Sequence, residues 1–124
     1  MIVAGIGFCA GATSDDIVDL LRGAERQSGC EAQLLAVPDH KAGRPALIEA
    51  LSVLGVPLIA IDRVRLERVQ ARCPTSSRAA MEAVGLRAIA EGCALAALDE
   101  QGRLVLPRIA SARVTCALAT GNRS

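Results

Sequence analysis

A chain of 124 residues with 52% apolar residues and a net charge of +1 fits one domain with a sizeable core. So small a charge gives no field that would steer the chain to nucleic acid or an anionic membrane. Phe8 is the only aromatic residue, so there is no platform on which single-stranded bases stack. One histidine and five scattered cysteines without a C-x-x-C pair predict neither a metal site nor a disulfide framework.

The sequence contains no membrane-spanning or targeting pattern. No stretch of about 20 apolar residues lacks charges. The N-terminus has no basic region before its apolar residues, so no signal peptide is predicted. We therefore expect a cytoplasmic protein without a cofactor, whose thiols are reduced and mostly buried.

The first half of the chain predicts alternating strands and helices. Residues 2–6 form a short apolar run typical of a buried strand. A helix is predicted over 14–27, because hydroxyls and acids open it and apolar residues recur at i, i+3, i+4 and i+7. A strand at 32–37, a helix from Pro45 to Gly55 and a strand at 56–61 follow.

The second half predicts helices and then a hairpin. Helical segments are expected at 62–69, 78–84 and 87–98, and antiparallel strands at 103–106 and 113–119 flank a loop. Together the elements predict a three-layer α/β/α fold with a mostly parallel five-stranded sheet and an antiparallel C-terminal hairpin at its edge. The expected single domain covers 1–120, and 121–124 form a flexible tail.

A glycine-rich turn joins the first strand to the first helix. Gly5, Gly7 and Ala10 satisfy a loose dinucleotide-binding pattern, and Asp39 lies near the end of the second strand. Against dinucleotide binding, the chain has no room for a substrate domain, and two aspartates in the first helical turn would repel a pyrophosphate. We favour a tight turn close to another ligand, with a nucleotide-binding module as the alternative.

Charged residues follow several predicted strands. His40 beside Asp39 is a weak candidate for a general base, and a solvated loop is the alternative. Lys41 and Arg44 suit anion contacts, and Arg108 and Arg113 bracket the last loop. Guanidinium groups bind carboxylates bidentately, so these four residues predict a basic rim for a polycarboxylate, unless they are ordinary exposed side chains.

One acidic residue lies within an otherwise apolar helical segment. Glu91 is flanked by alanine, glycine and cysteine residues. Two interpretations stay open: an ion pair with an arginine, or the polar side of the helix.

Several segments, in order, follow the sequence pattern of one protein family. Val3-Ala4-Gly5-Ile6-Gly7 with the Gly11 loop and Ser14-Asp15-Asp16-Ile17 is similar to the family's opening. The later matching segments are Asp39-His40-Lys41-Ala42, Ala88 to Leu95, Leu104 to Arg108 and Val114 to Ala119. Taken together, they resemble the CobE / CbiG C-terminal domain family of cobalamin (vitamin B12) biosynthesis. The resemblance spans nearly the whole chain and is to the stand-alone CobE type.

This resemblance implies a role in assembling the corrin ring. Full-length CbiG opens a ring-A lactone on a cobalt-precorrin and releases acetaldehyde, so any catalysis here would be a hydrolase-type step. We expect binding of a precorrin or another polycarboxylate tetrapyrrole by a monomer or homodimer. A non-catalytic interaction domain that supports another pathway enzyme is a further alternative. The residues expected to bind the ligand are Gly5, Gly7, Gly11, Lys41, Arg44, Arg108, Arg113 and Thr115.

The sequence departs from the family pattern at the edge of the sheet where the ligand is expected to bind. Phe8, Cys9 and Ala10 stand where the family has basic residues, which removes positive charge from the expected ligand edge. Arg108 replaces the family's lysine, so it keeps the charge but loses a titratable amine.

Overall fold

The computed structural model describes residues 1–124 and contains one five-stranded sheet in the order β3-β2-β1-β5-β4. The strands are β1 (Ile2–Phe8), β2 (Leu34–Pro38), β3 (Leu58–Ile61), β4 (Arg103–Ala110) and β5 (Val114–Thr120). β1, β2 and β3 are parallel, whereas β5 is antiparallel to both β1 and β4. The α/β fold and the hairpin at the edge are confirmed, but the sheet is mixed rather than mostly parallel, because β5 lies between β1 and β4.

Helices cover both faces of the sheet. They are α1 (Ser14–Ser28), α2 (Pro45–Leu54), α3 (Arg63–Val69), α4 (Arg78–Val84) and α5 (Ala90–Ala96). Neighbouring strand residues point to opposite faces, so Val3 packs in the core beneath α3 and α5, while Ala4 and Ile6 pack beneath α1 and α2. Two apolar cores therefore sandwich the sheet, as expected for a three-layer fold.

Local sequence signals define α1. Thr13 and Asp16 form a reciprocal capping box at its start, and Gly29 ends it in the left-handed region with φ 73°. The apolar stripe buries Ile17 and Leu21 against the sheet. The helix predicted over 14–27 is thus found at nearly the same bounds.

The second half differs from the prediction in two places. β4 continues to Ala110, although a loop was predicted from Pro107. The proline is accommodated because β4 is an edge strand and its pairing with β5 shifts register between Leu106 and Ile109. The helix predicted at 87–98 is shorter, beginning at Ala90.

The C-terminal residues make backbone contacts, and the flexible tail expected at 121–124 stays a prediction. Gly121 donates a backbone hydrogen bond to the Met1 carbonyl, and Arg123 forms a β-bridge with Leu98. Ser124 donates its N–H to the Ala97 carbonyl at 3.3 Å. These contacts fasten residues 121–124 to the end of α5 and to the start of the chain.

The five cysteines are free thiols, and three of them are buried. Burial raises the pKa of Cys73 to about 11 and that of Cys116 to about 12, and it also raises the pKa of Cys93. These three thiols therefore stay protonated near neutral pH. Among the helices, none is long and apolar enough to cross a membrane.

Candidate ligand-binding cleft

A cleft of about 460 Å³ opens at the edge of the sheet where the parallel strands end. β4 runs in the same direction as β1, β2 and β3, so the carboxyl ends of four strands meet at this edge. α4 and residues 87–89 form the opposite wall. Open α/β sheets place ligands outside the carboxyl ends of their strands, so this position suits a binding site.

The structure brings six of the predicted residues together at this cleft. They come from β1, from the 3-10 turn that follows β2, and from the β4–β5 hairpin. They are Gly7, His40, Lys41, Arg108, Arg113 and Thr115. Four others, Gly5, Gly11, Asp39 and Arg44, do not line it. The cleft is therefore shaped by the strand ends rather than by the whole glycine turn.

Gly5 serves helix packing instead of anion binding. It is buried, and a Cβ at this position would lie 1.8 Å from the Ala90 carbonyl oxygen. The absent side chain lets α5 approach β1 at backbone distance. Because α5 covers Gly5, the first glycine of the dinucleotide-like pattern is not available to a pyrophosphate.

Two amides at the start of α1, those of Thr13 and Asp16, already have side-chain partners. The Asp16 N–H donates to the Thr13 hydroxyl oxygen, and the Thr13 N–H donates to the Asp16 carboxylate at 2.9 Å. That backbone hydrogen bond is the main reason why the pKa of Asp16 is lowered. The helix start thus carries its own carboxylate, which further weakens the dinucleotide alternative.

Positively charged side chains line the cleft, and no acidic side chain does. Twenty-one residues line it, and the charged ones among them are lysine or arginine, with no aspartate or glutamate. Lys41 lies with its Nζ 5.4 Å from the centre of the Phe8 ring. Neither Lys41 nor Arg108 has a carboxylate within 4.0 Å. Arg113 Nη1 lies 4.0 Å from Asp16 Oδ2 and is half exposed.

Apart from Arg87, the opposite wall is mostly apolar, and the sequence did not mark its residues as part of a site. Ala79, Ala80 and Ala83 of α4 line the cleft, and Ile89 extends the wall toward β1. Small side chains on a short helix give no distinctive pattern, so sequence alone did not mark them. The alanines of α4 therefore face Lys41, Arg108 and Arg113 across the cleft, which gives it one mostly apolar wall and one basic wall.

Arg87 also lines the cleft, although the sequence analysis did not identify it as a site residue. Its guanidinium donates to the carbonyl oxygens of Cys73 and Thr75, each at 2.9 Å, and to the Gln70 carbonyl. Arg87 lines the cleft while fastening the segment that precedes α4. Its only sequence signal was an arginine shortly after the glycine that ends α4.

Glu91 follows neither of the two interpretations that the sequence left open. It is fully buried, has no basic group within 4.0 Å, and accepts hydrogen bonds from Thr75 and from the Arg108 backbone. The sequence signal that singled out Glu91 was an acidic residue within an apolar helical segment.

The histidine of the cleft lacks a catalytic partner. His40 and Asp39 are both exposed and make no hydrogen bond to each other. A nucleophile–base pair needs such a contact within about 3.2 Å. The structure therefore supplies a base-type side chain at the cleft without the constellation that activates it.

The chain has an α/β fold with a basic, partly apolar cleft at the carboxyl edge of its sheet. Residues 2–119 match the family described as cobalamin synthesis G C-terminus, so the chain belongs to the CbiG C-terminal family. The resemblance noted in the sequence is confirmed, and the chain is a protein of cobalamin biosynthesis.

Relatives of known name agree with this family. Protein CobE from Sinorhizobium sp. is 28% identical over 121 residues, covering 95% of this chain and 79% of that protein. The crystal structure of cobalamin biosynthesis protein chiG from Agrobacterium tumefaciens is 39% identical, with a TM-score of 0.79 and 98% of each chain covered. A crystal structure of CobE, a protein from the cobalamin biosynthetic pathway, shares the fold with a TM-score of 0.91 at 24% identity, covering 100% of this chain and 92% of that one.

Proposed function

We propose that this protein binds a precorrin or a related corrin intermediate in the cleft at the carboxyl edge of the sheet. The observation that carries the proposal is the charge of the cleft: lysine and arginine side chains line it, and no carboxylate does. Precorrins carry many peripheral carboxylates on an apolar macrocycle. The basic wall suits the carboxylates, and the alanine wall of α4 suits the ring.

Charged and apolar contacts together account for useful affinity. Charge-assisted hydrogen bonds contribute about 1.5–3 kcal/mol each, so Lys41, Arg108 and Arg113 would supply about 4.5–9 kcal/mol. Micromolar binding needs about 8.2 kcal/mol after the cost of association, so apolar contact between the ring and the alanines of α4 must supply the rest. The volume of about 460 Å³ lies within the range of small-molecule cavities. A whole corrin with its acidic arms is larger, so we expect one edge of the macrocycle to enter.

The binding role needs no bond cleavage. His40 is the cleft residue with general-base chemistry near neutral pH, and it would be the base if a ring-A lactone were opened here. Replacing His40 by glutamine should therefore leave binding intact. The cytoplasmic location stays a prediction. So do the oligomeric state, a monomer or homodimer, which gel filtration tests, and the contacts with other cobalamin-pathway enzymes, which co-purification tests.

Titration with hydrogenobyrinic acid, followed by its visible absorbance or by calorimetry, tests the proposal. We expect micromolar binding, and about tenfold weaker binding for Arg108→Ala, the loss of one charge-assisted contact. Arg103→Ala is the matched control, because Arg103 is exposed on the same strand at its opposite end. No binding by folded protein at several hundred micromolar would refute the proposal.

A thermal-shift comparison separates the nucleotide alternative. A ligand present at 100 times its dissociation constant stabilises the fold by about 2.7 kcal/mol. We expect hydrogenobyrinic acid to raise the melting temperature, and NAD, ATP and FMN to leave it unchanged. A shift with a nucleotide alone would favour the alternative.

A further inference from the structure

Glu91 is a buried acidic residue that contacts both the segment before α4 and the strand β4. It lies on α5 and is 0% exposed. Its Oε1 accepts the Thr75 N–H at 3.1 Å and the Thr75 hydroxyl at 2.7 Å. Its Oε2 accepts the Arg108 N–H at 3.0 Å. One side chain thus joins the segment before α4 to the strand that carries Arg108.

The Arg108 N–H needs this partner because β4 is irregular at that point. The pairing of β4 with β5 shifts register between Leu106 and Ile109, so Arg108 lies within a bulge and has no paired residue on β5. A backbone N–H without a partner is costly when it is shielded from water. The Glu91 carboxylate accepts the hydrogen bond that the strand does not.

The arrangement is unusual for a carboxylate that serves packing alone. Burying an ionised group is expensive, and no lysine or arginine lies within 4.0 Å to offset that cost. Its three hydrogen bonds go to Thr75, in the segment that leads into α4, and to Arg108 on β4, so they hold these two segments together.

We propose that Glu91 is a positioning residue, which fixes where the Arg108 guanidinium lies in the cleft by holding the β4 bulge through the Arg108 N–H. This inference rests on the proposed binding of a corrin carboxylate by Arg108. Glu91 touches no ligand itself, since it lies beneath the wall and does not line the cleft.

A double-mutant cycle on hydrogenobyrinic acid affinity tests the proposal. Glu91→Gln keeps the shape of the side chain, and we expect its amide oxygen to take the Oε1 position, where the Thr75 N–H and hydroxyl both donate. Its NH₂ then faces the Arg108 N–H and cannot accept that hydrogen bond. We expect affinity to fall about fivefold in the otherwise wild-type chain and in the Lys41→Ala chain, and less than twofold in the Arg108→Ala chain. The Arg108 N–H is present in all these chains, so a merely structural loss would be equal in each.

Equal losses in the Arg108→Ala and Lys41→Ala chains would overturn the proposal, as would unchanged affinity of Glu91→Gln alone. Thr75→Val is the matched control, because it removes one donor to Oε1 and leaves the bond to Arg108 in place. We expect its affinity to stay within twofold of wild type. If Glu91→Gln does not fold, Glu91→Asp, which is too short to reach both segments, replaces it in the cycle.

Amide hydrogen exchange without ligand separates this proposal from the proposed function. In Glu91→Gln we expect the Arg108 amide to exchange about tenfold faster, while amides in the middle of β1 are unchanged. Faster exchange together with no hydrogenobyrinic acid binding would overturn the proposed function and keep Glu91 as the residue that holds the bulge. An unchanged Arg108 amide would overturn the role of Glu91.

Discussion

The helices α1 and α4 both begin near the carboxyl edge of the sheet, yet they are held in different ways. α1 buries Ile17, Leu21 and Ala24 against the sheet, whereas α4 buries none of its seven residues. Polar contacts hold α4 at its ends, where the Ser77 N–H donates to the Arg87 carbonyl at 2.7 Å. We therefore expect α4, which forms one wall of the cleft, to open at lower free energy than α1, which packs in the core.

The largest expected effect concerns the packed part of the molecule. Gly5→Ala places a Cβ 1.8 Å from the Ala90 carbonyl oxygen, so α5 must move away from β1. We expect a loss of about 3 kcal/mol or more in the free energy of unfolding, measured by urea denaturation. Gly43→Ala is the control, because a Cβ added there would meet no atom within 4 Å and the φ of Gly43 is not positive. Equal stabilities would show that α5 does not sit where the structure places it.

A pair of truncations sharpens the contrast between the two helices. Leu21→Ala in α1 removes a side chain that is 1% exposed and should cost about 2–5 kcal/mol. Met81→Ala in α4 removes one that is 48% exposed and should change global stability by less than about 0.5 kcal/mol. A comparable loss for Met81→Ala would mean that α4 is part of the core.

Thiol reactivity compares the cleft rim with the interior. Cys9 is exposed at the cleft, whereas Cys73 is buried and its pKa of about 11 leaves only about a thousandth of it as thiolate at pH 8. In the native protein at pH 8 a disulfide reagent should modify Cys9 quickly and Cys30 next, and the three buried thiols only on unfolding. Rapid modification of all five without denaturant would contradict the burial described.

The smallest effect is the pH dependence of the α1 cap. The hydrogen bond from the Thr13 N–H lowers the pKa of Asp16, so its contribution is fully present above the unfolded-state pKa near 3.8 and is lost as pH falls through the lowered folded-state value. Asp16→Asn should therefore be less stable than wild type at pH 6, and the difference should shrink below about pH 4. A difference that does not change with pH would assign the effect to shape rather than charge.

Features that depend on neighbouring residues were predictable from sequence. The capping residues and the apolar stripe located α1, and the ends of parallel strands were expected to gather Gly7, Lys41 and Arg108 at one edge. Those three residues do line one cleft. Their role in ligand binding stays a prediction.

Features that depend on distant partners were not predictable. Pro107 indicated a loop, whereas in the structure β4 continues through it. The Arg108 N–H that follows is accepted by the Glu91 carboxylate, which lies 17 residues away in sequence and could not be anticipated locally. Gly5 fitted a phosphate-binding turn, because a glycine needed for close helix packing looks the same in the sequence. Its contact with Ala90 lies far along the chain and left no local signal. Arg87 and the alanines of α4 had no local pattern that distinguished them from ordinary helix and loop residues.

Backbone amide shifts measured during titration with hydrogenobyrinic acid test the proposed binding cleft most directly, because they locate the ligand on the molecule. We expect chemical-shift changes concentrated at Gly7, Lys41, Arg108 and Thr115. We expect none at Ala50, which is buried in α2 and does not line the cleft. A second surface depression, lined by Arg65, Arg68, Asp99 and Glu100, lies away from the cleft. Changes centred there, or spread evenly over the molecule, would contradict binding in the cleft.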